Sequence, residues 1–491
     1  MPPRIRIIGL GPGDPTLLTR QAWDALSQPG EVYFRTGQHP MALALPAAVQ
    51  VHTFDHEYAE QPDFASTYRA IVERLMDLAR RPDGVTYAVP GDPGVGEATT
   101  AELRRVGARE GMPVEIVPGV SFVEPSLALV GWDALDGLSL ADALDLAAGH
   151  HPPFSPDRPA LVGQLYSAMV AADVKLTLMN QYPDDHPVIL IHAAGTAEAR
   201  TESCPLHELD RSPSIGWMTS LFVPALSRPS SLESFQETVA HLRAPEGCPW
   251  DREQTPRSLR PHLLEESYEA LQALDAEDAD SLREELGDLL LQIVLQAQIA
   301  TEGGEFTMAE VIAGIDAKIV RRHPHVFGDL QVAGVDQVLH NWEALKAEER
   351  EEDGEQHGLL GGVPIGLPAL AQALEIQDRV ARVGFDWPDI NGVQAKIAEE
   401  LGEIQEAADD EARADEVGDL LFAVVNYARW LGVDPEAALR QTNRRFRSRF
   451  GLIEASAHAS GSSLPDLAPE ELDALWEAAK RAEGGSGDRE A

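Results

Sequence analysis

The sequence predicts a multidomain protein with an N-terminal α/β domain followed by two all-α helical units. The chain has 491 residues, which is more than one ordinary domain contains. Over residues 1–225, short β-rich runs alternate with helical stretches, a pattern typical of an α/β domain with a largely parallel sheet. From about residue 230 the β-rich runs stop and long segments of helical periodicity take over.

Glycine-rich turns follow the β-rich runs of the first domain. The runs predicted as strands are Arg4–Ile8, Val85–Val89, Val114–Val117 and Pro187–Ile191. The turns after the first three contain GLGPGDP (9–15), PGDPG (90–94) and VPGVS (117–121). Glycine at the end of a strand lets the backbone approach a ligand closely, so three such turns at one sheet edge predict a cofactor crevice.

The helical half is predicted to be an internal duplication. A linker is expected at residues 224–229 (PALSRP), the first unit at 230–360 and the second at 366–480. Residues 481–491 are rich in glycine, serine and charge, and are predicted to form a disordered tail.

One acidic pattern occurs in both helical units. Each copy reads Glu-Glu-x-x-Glu and then Glu-x-x-Asp, and the residues are Glu265, Glu266, Glu269, Glu285 and Asp288 in the first copy and Glu399, Glu400, Glu403, Glu416 and Asp419 in the second. Residues three and four apart share a helix face, so two such helices bring four or five carboxylates together. A solvated face would explain one copy alone, but the repetition favours a metal site. Carboxylates without histidine or cysteine suit Mg²⁺ (or Mn²⁺).

A cationic residue, with an arginine four positions later, follows each acidic pattern. With the residue two positions before the cation, these are Asp316, Lys318 and Arg322 in the first unit and Asn443, Arg445 and Arg449 in the second. The charges could complement the C-terminal ends of helices. Their recurrence favours contacts with the outer oxygens of a polyphosphate.

Aromatic residues precede the carboxylate helices in both units, at Trp250, Phe385 and Trp387. Their rings could stack on a nucleobase. Aromatic rings beside proline and glycine are more often packed at hinges, and this is the interpretation that we favour from the sequence.

The composition limits the partners of the chain. Its formal net charge of −42 argues against a nucleic-acid-binding surface and against an anionic membrane. A phosphorylated small molecule remains compatible, because a divalent metal bridges carboxylates to phosphates. The two cysteines, Cys204 and Cys248, form neither a disulfide framework nor a zinc site, and no apolar run is long enough to span a membrane. We therefore expect a cytoplasmic protein.

The helical half resembles the MazG family of nucleoside triphosphate pyrophosphohydrolases. The resemblance covers residues 242–480, and the segments that carry it are LRAPEGCPWDREQT (242–255), LLEESYEAL (263–271), REELGDLLLQ (283–292), KIVRRHPHVFG (318–328), RVGFDWPD (382–389), AEELGEI (398–404), DEVGDLLF (415–422) and NRRFRSRF (443–450). It implies an enzyme that uses Mg²⁺ to split nucleoside triphosphates into nucleoside monophosphate and diphosphate. It also implies removal of non-standard or excess nucleotides from the pool, and a homodimer formed through the helical units.

The same resemblance implies roles for the residues singled out above. The catalytic candidates are Glu265, Glu266, Glu269, Glu399, Glu400 and Glu403. The metal ligands are Glu266, Glu269, Glu285, Asp288, Glu400, Glu403, Glu416 and Asp419. The substrate-binding residues are Lys318, Arg322, Asn443, Arg445 and Arg449. Asp316 would add negative charge beside a triphosphate, whereas Asn443 suits a polar contact, so the second unit is slightly favoured as the working site. Whether both units turn over stays open.

The first domain resembles the tetrapyrrole (corrin/porphyrin) methylase family. The three glycine-rich turns carry the resemblance together with LTLMNQYPDDHPVILIHAAGT (176–196), over nearly all of residues 4–225. It implies that S-adenosylmethionine binds at Gly11, Gly13, Asp14, Gly91, Asp92, Pro93, Val95 and Ser121. The second turn continues Gly94-Val95-Gly96-Glu97, where methylases usually carry a Phe-Gly-Arg type of sequence. Methyl transfer and its acceptor therefore stay open.

Two other functions remain possible at this stage. The main activity could be methylation of a tetrapyrrole or another substrate by the first domain. Alternatively, or in addition, the helical half could be a regulatory module that senses nucleotides without cleaving them. Loss of some of the acidic residues would favour this sensing role, but all ten acidic positions are present.

Overall fold

The computed structural model describes residues 4–335 and 359–484, together with the single positions 337, 338, 341, 342, 345 and 349. The chain divides into two compact units, Met1–Leu242 and Arg243–Ala491. Among the described residues, no helix combines the length and the apolar character that crossing a membrane requires.

The first unit contains two five-stranded sheets. The first sheet consists of β1 (Ile5–Gly9), β2 (Gly30–Phe34), β3 (Val49–Thr53), β4 (Val85–Val89) and β5 (Val114–Val117). Its order is β3-β2-β4-β1-β5, and every neighbouring pair is parallel. Ile5, Ile7 and Ile8 are fully buried, as expected for a central strand that is covered on both faces. The helices of this part are α1 (Arg20–Leu26), α2 (Met41–Ala44), α3 (Asp55–Glu60), α4 (Phe64–Ala79), α5 (Ala98–Glu110) and α6 (Val123–Val130).

The second sheet is mixed. It consists of β6 (Ser139–Asp142), β7 (Ala160–Gly163), β8 (Pro187–His192), β9 (Arg200–Pro205) and β10 (Thr219–Val223) in the order β6-β7-β10-β8-β9, with α7 (Ala143–Ala148) and α8 (Ala168–Leu178). Only β6 and β7 pair in parallel. The prediction of a largely parallel sheet therefore holds for the first sheet but not for the second. The polar strand β9 forms a hairpin with β8, and its sequence gives no β signal.

The boundary between the units lies later than the predicted linker. Helix α9 (Leu232–Arg243) belongs to the first unit except for its last residue. Asp157 holds its N-terminal end, because this carboxylate accepts hydrogen bonds from the backbone N–H groups of Ser230 (2.6 Å) and Ser231 (3.1 Å) and from the hydroxyls of Ser231 and Ser234. Burial acts to raise the pKa of Asp157, but these hydrogen bonds lower it to about 2.

The second unit is entirely helical within the residues that the structure describes. Its helices are α10 (Pro249–Glu253), α11 (Arg260–Asp275), α12 (Ala279–Gly303), α13 (Met308–Arg322), α14 (Pro324–Phe327), α15 (Ala369–Arg382), α16 (Ile390–Glu406), α17 (Asp410–Trp430), α18 (Pro435–Ala459) and α19 (Pro469–Gly484). Short 3₁₀ turns lie at Pro15–Leu17, Ala134–Asp136, Leu206–Arg211 and Leu464–Asp466. Residues 481–484 of the predicted tail are helical, and the rest of it lies outside the described residues.

Each acidic pattern lies on a pair of helices joined by a short connection. In the first copy the pair is α11 and α12, and in the second it is α16 and α17. Aspartates end the connections: Asp278 accepts hydrogen bonds from the first turn of α12, and Asp409 does so for α17. Connections of this length make each pair an antiparallel helical hairpin, which brings the two halves of the acidic pattern onto facing helices.

Candidate active site

The second copy gathers three carboxylates into one cluster. Oxygen atoms of Glu400 on α16 and of Glu416 and Asp419 on α17 all lie within 4.8 Å of one another. Glu400 is 2% exposed, and its Oε2 has no hydrogen-bond partner among the described residues. Buried carboxylate oxygens without a partner are costly, and three oxygen donors at this spacing are the ligands that Mg²⁺ and Mn²⁺ prefer. These residues therefore fit a hard divalent ion.

Two neighbours set the charge of this cluster. Glu403 lies one turn after Glu400, and the hydrogen bond between the two carboxyl groups raises the pKa of Glu403. The Nζ of Lys396 lies 2.6 Å from Glu400 and 2.9 Å from Glu399, and its hydrogen bond to Glu400 lowers the pKa of that carboxyl. Sequence reasoning missed Lys396. Its position four residues before Glu400 was the available signal.

The first copy forms a matching but more open cluster. Oxygen atoms of Glu266, Glu285 and Asp288 lie within 4.8 Å of one another, and all three residues are partly exposed. Burial and the surrounding carboxylates raise the pKa values of Glu266 and Glu285. Glu269 contributes to both shifts, so it lies beside the cluster.

Glu265 and Glu399 lie outside the clusters in which the sequence placed them. Both side chains are exposed. Glu265 lies 3.7 Å from His262, and Glu399 accepts a hydrogen bond from Lys396. Successive residues on a helix point about 100° apart, so only one member of each Glu-Glu pair faces the partner helix.

A cavity of about 540 Å³ opens beside the second cluster. It is lined by Gln377, Val380, Gly384, Phe385, Asp386, Trp387, Val393, Lys396, Glu400, Asp419, Phe422, Ala423, Asn426 and Arg429. Phe385 is 79% exposed, Trp387 is 43% exposed and Trp250 of the first copy is 58% exposed, so none of the three rings is packed in the interior as the hinge interpretation expected. Gly392 lies directly behind the Trp387 ring, where a Cβ atom would come within 2.7 Å of it. The lining of the cavity thus combines carboxylates with aromatic surface.

The first unit contains the crevice predicted from its glycine-rich turns. Strands β4, β1 and β5 are neighbours, so their carboxyl ends lie side by side. Gly11 and Gly91 exchange backbone hydrogen bonds, and Asp92 accepts hydrogen bonds from the backbone of Gly94 (2.7 Å) and Gly119 (2.9 Å). The resulting cavity of about 270 Å³ is lined by Gly91, Asp92, Val95 and Ser121 among others.

The remaining predicted cofactor residues, Gly11, Gly13, Asp14 and Pro93, lie outside the lining of this cavity. Asp14 caps the following 3₁₀ turn through Thr16, and Gly13 lies against Thr196. Gly11 contributes through its backbone pairing with Gly91, and Pro93 is not a lining residue of the cavity. The departure from the methylase pattern at Gly96-Glu97 has a structural counterpart, because the buried Glu97 forms an ion pair with Arg35 inside the crevice.

Comparison with known proteins agrees with both halves of this description. A family model for tetrapyrrole (corrin/porphyrin) methylases matches residues 4–210, one for the MazG nucleotide pyrophosphohydrolase domain matches residues 254–327, and one for phosphoribosyl-ATP pyrophosphohydrolase matches residues 380–446. The nucleoside triphosphate pyrophosphohydrolase/pyrophosphatase MazG of Thermotoga maritima is 47% identical over 249 residues, which are 50% of this chain and 95% of that protein.

The chain belongs to the MazG family. It carries an N-terminal tetrapyrrole methylase domain in addition to the helical MazG half. The nucleoside triphosphate pyrophosphohydrolase of Escherichia coli (strain K12) is 45% identical over 251 residues, covering 50% of this chain and 95% of that protein. "Uncharacterized protein YabN" of Bacillus subtilis (strain 168) is 39% identical over 494 residues, which are 98% of this chain and 99% of that protein.

The cations predicted to bind phosphate in this MazG-family chain lie apart from the cavity. Lys318 is exposed on α13, and Arg322 forms an ion pair with Glu349, as does Arg321. Glu349 is held ionised by Arg322 and Arg321, and its pKa is lowered to about 2. The arginines of the first copy are therefore already matched by a carboxylate.

The second copy distributes its predicted cations along α18. Arg445 donates to the hydroxyl of Thr442 (3.0 Å), and Arg449 lies 5.7 Å above the ring of Trp476. Asn443 lines another cavity, of about 430 Å³, between α18 and α11, where Arg440 and Arg444 reach Asp275 at 3.3 and 3.4 Å. None of the three predicted substrate residues is in the lining of the cavity beside Glu400.

Proposed function

We propose that this chain is a Mg²⁺-dependent nucleoside triphosphate pyrophosphohydrolase whose working site is the second helical copy. The observation that carries the proposal is that Glu400 and Asp419 of the Glu400–Glu416–Asp419 cluster line a cavity large enough for a nucleotide, together with aromatic rings. The first copy has a comparable cluster, but its two arginines are engaged by Glu349. Clearance of excess nucleotides from the pool follows from this activity.

Metal binding is assigned to Glu400, Glu416 and Asp419, with Glu403 beside them. A divalent ion held there would neutralise the negative charge of the phosphates and make a bound water more acidic. Either Mg²⁺ or Mn²⁺ suits three carboxylates, and the abundance of Mg²⁺ in cells favours it.

The residues of the chain then divide the remaining work. The attacking water forms a bond to the α-phosphorus while the bond to the bridging oxygen breaks and diphosphate leaves. Glu403, whose pKa is raised, is the carboxylate suited to accept the proton of that water. Lys396, whose Nζ lies 2.6 Å from Glu400, adds an ammonium group to the lining of the cavity, where it favours negatively charged phosphate oxygens.

A homodimer is part of the proposal. Within the described residues, helices α11 to α13 expose apolar side chains, among them Leu264, Leu286 and Ile315. Large exposed apolar patches are typical of protein interfaces. A second copy of the helical half would cover this surface and would bring the cations of its own helices near the cavity, which supports a site completed by the partner.

The N-terminal domain supplies a second candidate activity, methyl transfer from S-adenosylmethionine. The joined turns at Gly11, Gly91 and Asp92 support cofactor binding, because close backbone approach leaves room for a ligand in the crevice. The acceptor is not determined by these contacts. We place the protein in the cytoplasm, where nucleotides are abundant and its free cysteines, Cys204 and Cys248, stay reduced.

The test of the main proposal is diphosphate release from each common nucleoside triphosphate, with and without Mg²⁺. We expect nucleoside monophosphate and diphosphate in equal amounts, and no reaction after chelation of the metal. Binding of nucleotide without release of diphosphate would instead support a sensing module.

A further inference from the structure

Gln377 lines the cavity of the second copy and carries a buried acceptor that has no partner among the described residues. It lies on α15, is 4% exposed, and lines the cavity. Its Nε2 donates a hydrogen bond of 2.8 Å to the backbone carbonyl of Phe422 on α17. Its Oε1 is buried and has no hydrogen-bond partner among the residues that the structure describes.

The orientation of this amide follows from its neighbour. A carbonyl oxygen placed against the Phe422 carbonyl would repel it, so the nitrogen faces Phe422 and the oxygen faces away. A buried acceptor that is left unpaired costs free energy, and native proteins rarely leave one without a reason. A ligand in the cavity that donates an N–H to Gln377 would remove this cost.

The surroundings of Gln377 match a nucleobase. The rings of Phe385, Trp387 and Phe422 line the same cavity. One helical turn beyond Phe422, the Oδ1 of Asn426 accepts hydrogen bonds from Arg429 (3.1 and 2.9 Å), which leaves the Asn426 amide nitrogen as its donor toward a ligand. The cavity therefore offers aromatic surface, one acceptor and one donor, as the face and edge of a base require.

We propose that Gln377 reads the exocyclic amino group of the substrate base, so that the site prefers amino-bearing nucleotides to their deaminated counterparts. This inference rests on the proposed function. An amino group projects beyond the ring and reaches a recessed acceptor. In the deaminated base a carbonyl oxygen takes its place and meets the Gln377 oxygen without a proton between them. A site with a fixed, buried acceptor discriminates strongly against a ligand that cannot satisfy it.

The test compares ATP with ITP and CTP with UTP, since in each pair deamination replaces the amino group by a carbonyl and adds a hydrogen to the adjacent ring nitrogen. The readout is kcat/KM for diphosphate release by the full chain with Mg²⁺. We expect the amino-bearing member of each pair to be preferred by about tenfold or more. Equal values, or a preference for ITP and UTP, would overturn the inference while leaving the pyrophosphohydrolase proposal intact. Release from none of the four would overturn the function itself.

Gln377→Leu removes the acceptor and Gln372→Leu is its matched control. Gln372 lies on the same helix, its amide reaches the Pro364 carbonyl at 3.3 Å, and it does not line the cavity. In Gln377→Leu the kcat/KM ratios of ATP to ITP and of CTP to UTP are expected to fall to about one. The hydrogen bond to the amino group and the repulsion of the carbonyl oxygen are then both lost. The control is expected to keep the wild-type preferences. Unchanged kcat/KM ratios in a folded Gln377→Leu would show that other residues select the base. If this variant does not fold, the comparison of the four nucleotides with the wild type tests the inference.

Discussion

Replacement of Glu400 by glutamine distinguishes the roles of the two helical copies. Glu400 is almost fully buried and shares its cluster with Glu416 and Asp419. Glutamine keeps the shape of the side chain and reduces the cluster from three carboxylates to two. Loss of a residue that only orients a metal ligand costs about 10- to 100-fold. Loss of a ligand should therefore lower kcat/KM by more than about 100-fold, which is at least about 2.7 kcal/mol of transition-state stabilisation.

The matched substitution in the first copy is Glu266→Gln. Because Arg321 and Arg322 of that copy are paired with Glu349, we expect Glu266→Gln to keep more than half of the wild-type rate of diphosphate release. Glu266→Gln removes one of several repelling carboxylates, so its thermal unfolding without metal should occur at the same or a higher temperature than in the wild type. Glu400→Gln also loses the ion pair with Lys396, so its unfolding temperature without metal should be lower than that of Glu266→Gln. A folded Glu400→Gln with normal turnover, or loss of turnover only in Glu266→Gln, would refute the assignment of the working site.

Three further outcomes are expected. Trp387→Leu should raise KM by about 3- to 10-fold with a smaller change in kcat, since a stacking surface is lost. Trp250→Leu is the control. An equal rise of KM in both variants would contradict a stacking role for Trp387. Chelation of divalent ions should abolish diphosphate release, and Mg²⁺ or Mn²⁺ should restore it. Mg²⁺ should also raise the thermal unfolding temperature of the wild type more than that of Glu400→Gln. Diphosphate release in excess chelator would exclude the carboxylate cluster as a required metal site. The depressed pKa of Asp157, about 2 against an ordinary value of 3.8, stabilises the fold above about pH 4 and loses this contribution as pH falls toward 2. Asp157→Asn should therefore cost about 2 kcal/mol of unfolding free energy at neutral pH, and a gap to wild type that does not narrow on acidification would contradict this cause.

The short apolar strands and the two acidic clusters could be predicted from the sequence, because their patterns are periodic or repeated. The predicted strands at Val85–Val89 and Val114–Val117 occur in the structure with the same bounds, because each is a short apolar run beside a glycine-rich turn. The duplicated acidic pattern identified the members of both clusters, since spacing along a helix determines which residues share a face.

The pairing of β9 and the orientation of several side chains could not be predicted, because they depend on contacts between segments that are distant in the sequence. Nothing in the polar sequence of β9 shows that it pairs with β8. Helical spacing alone grouped Glu265 and Glu399 with the clusters. It did not distinguish each of them from the adjacent glutamate, which points toward the partner helix. Gln377 gains its significance from the carbonyl of Phe422, which lies 45 positions away and fixes the amide.

Attack of water on the α-phosphorus at the second helical copy can be followed by turnover of ATP in ¹⁸O-labelled water with Mg²⁺ and mass spectrometry of the products. We expect one labelled oxygen in AMP and none in the diphosphate, and about 100-fold slower formation of labelled AMP, or slower still, by Glu400→Gln. Label in diphosphate, or ADP and inorganic phosphate as the products, would show that the water attacks a different phosphorus.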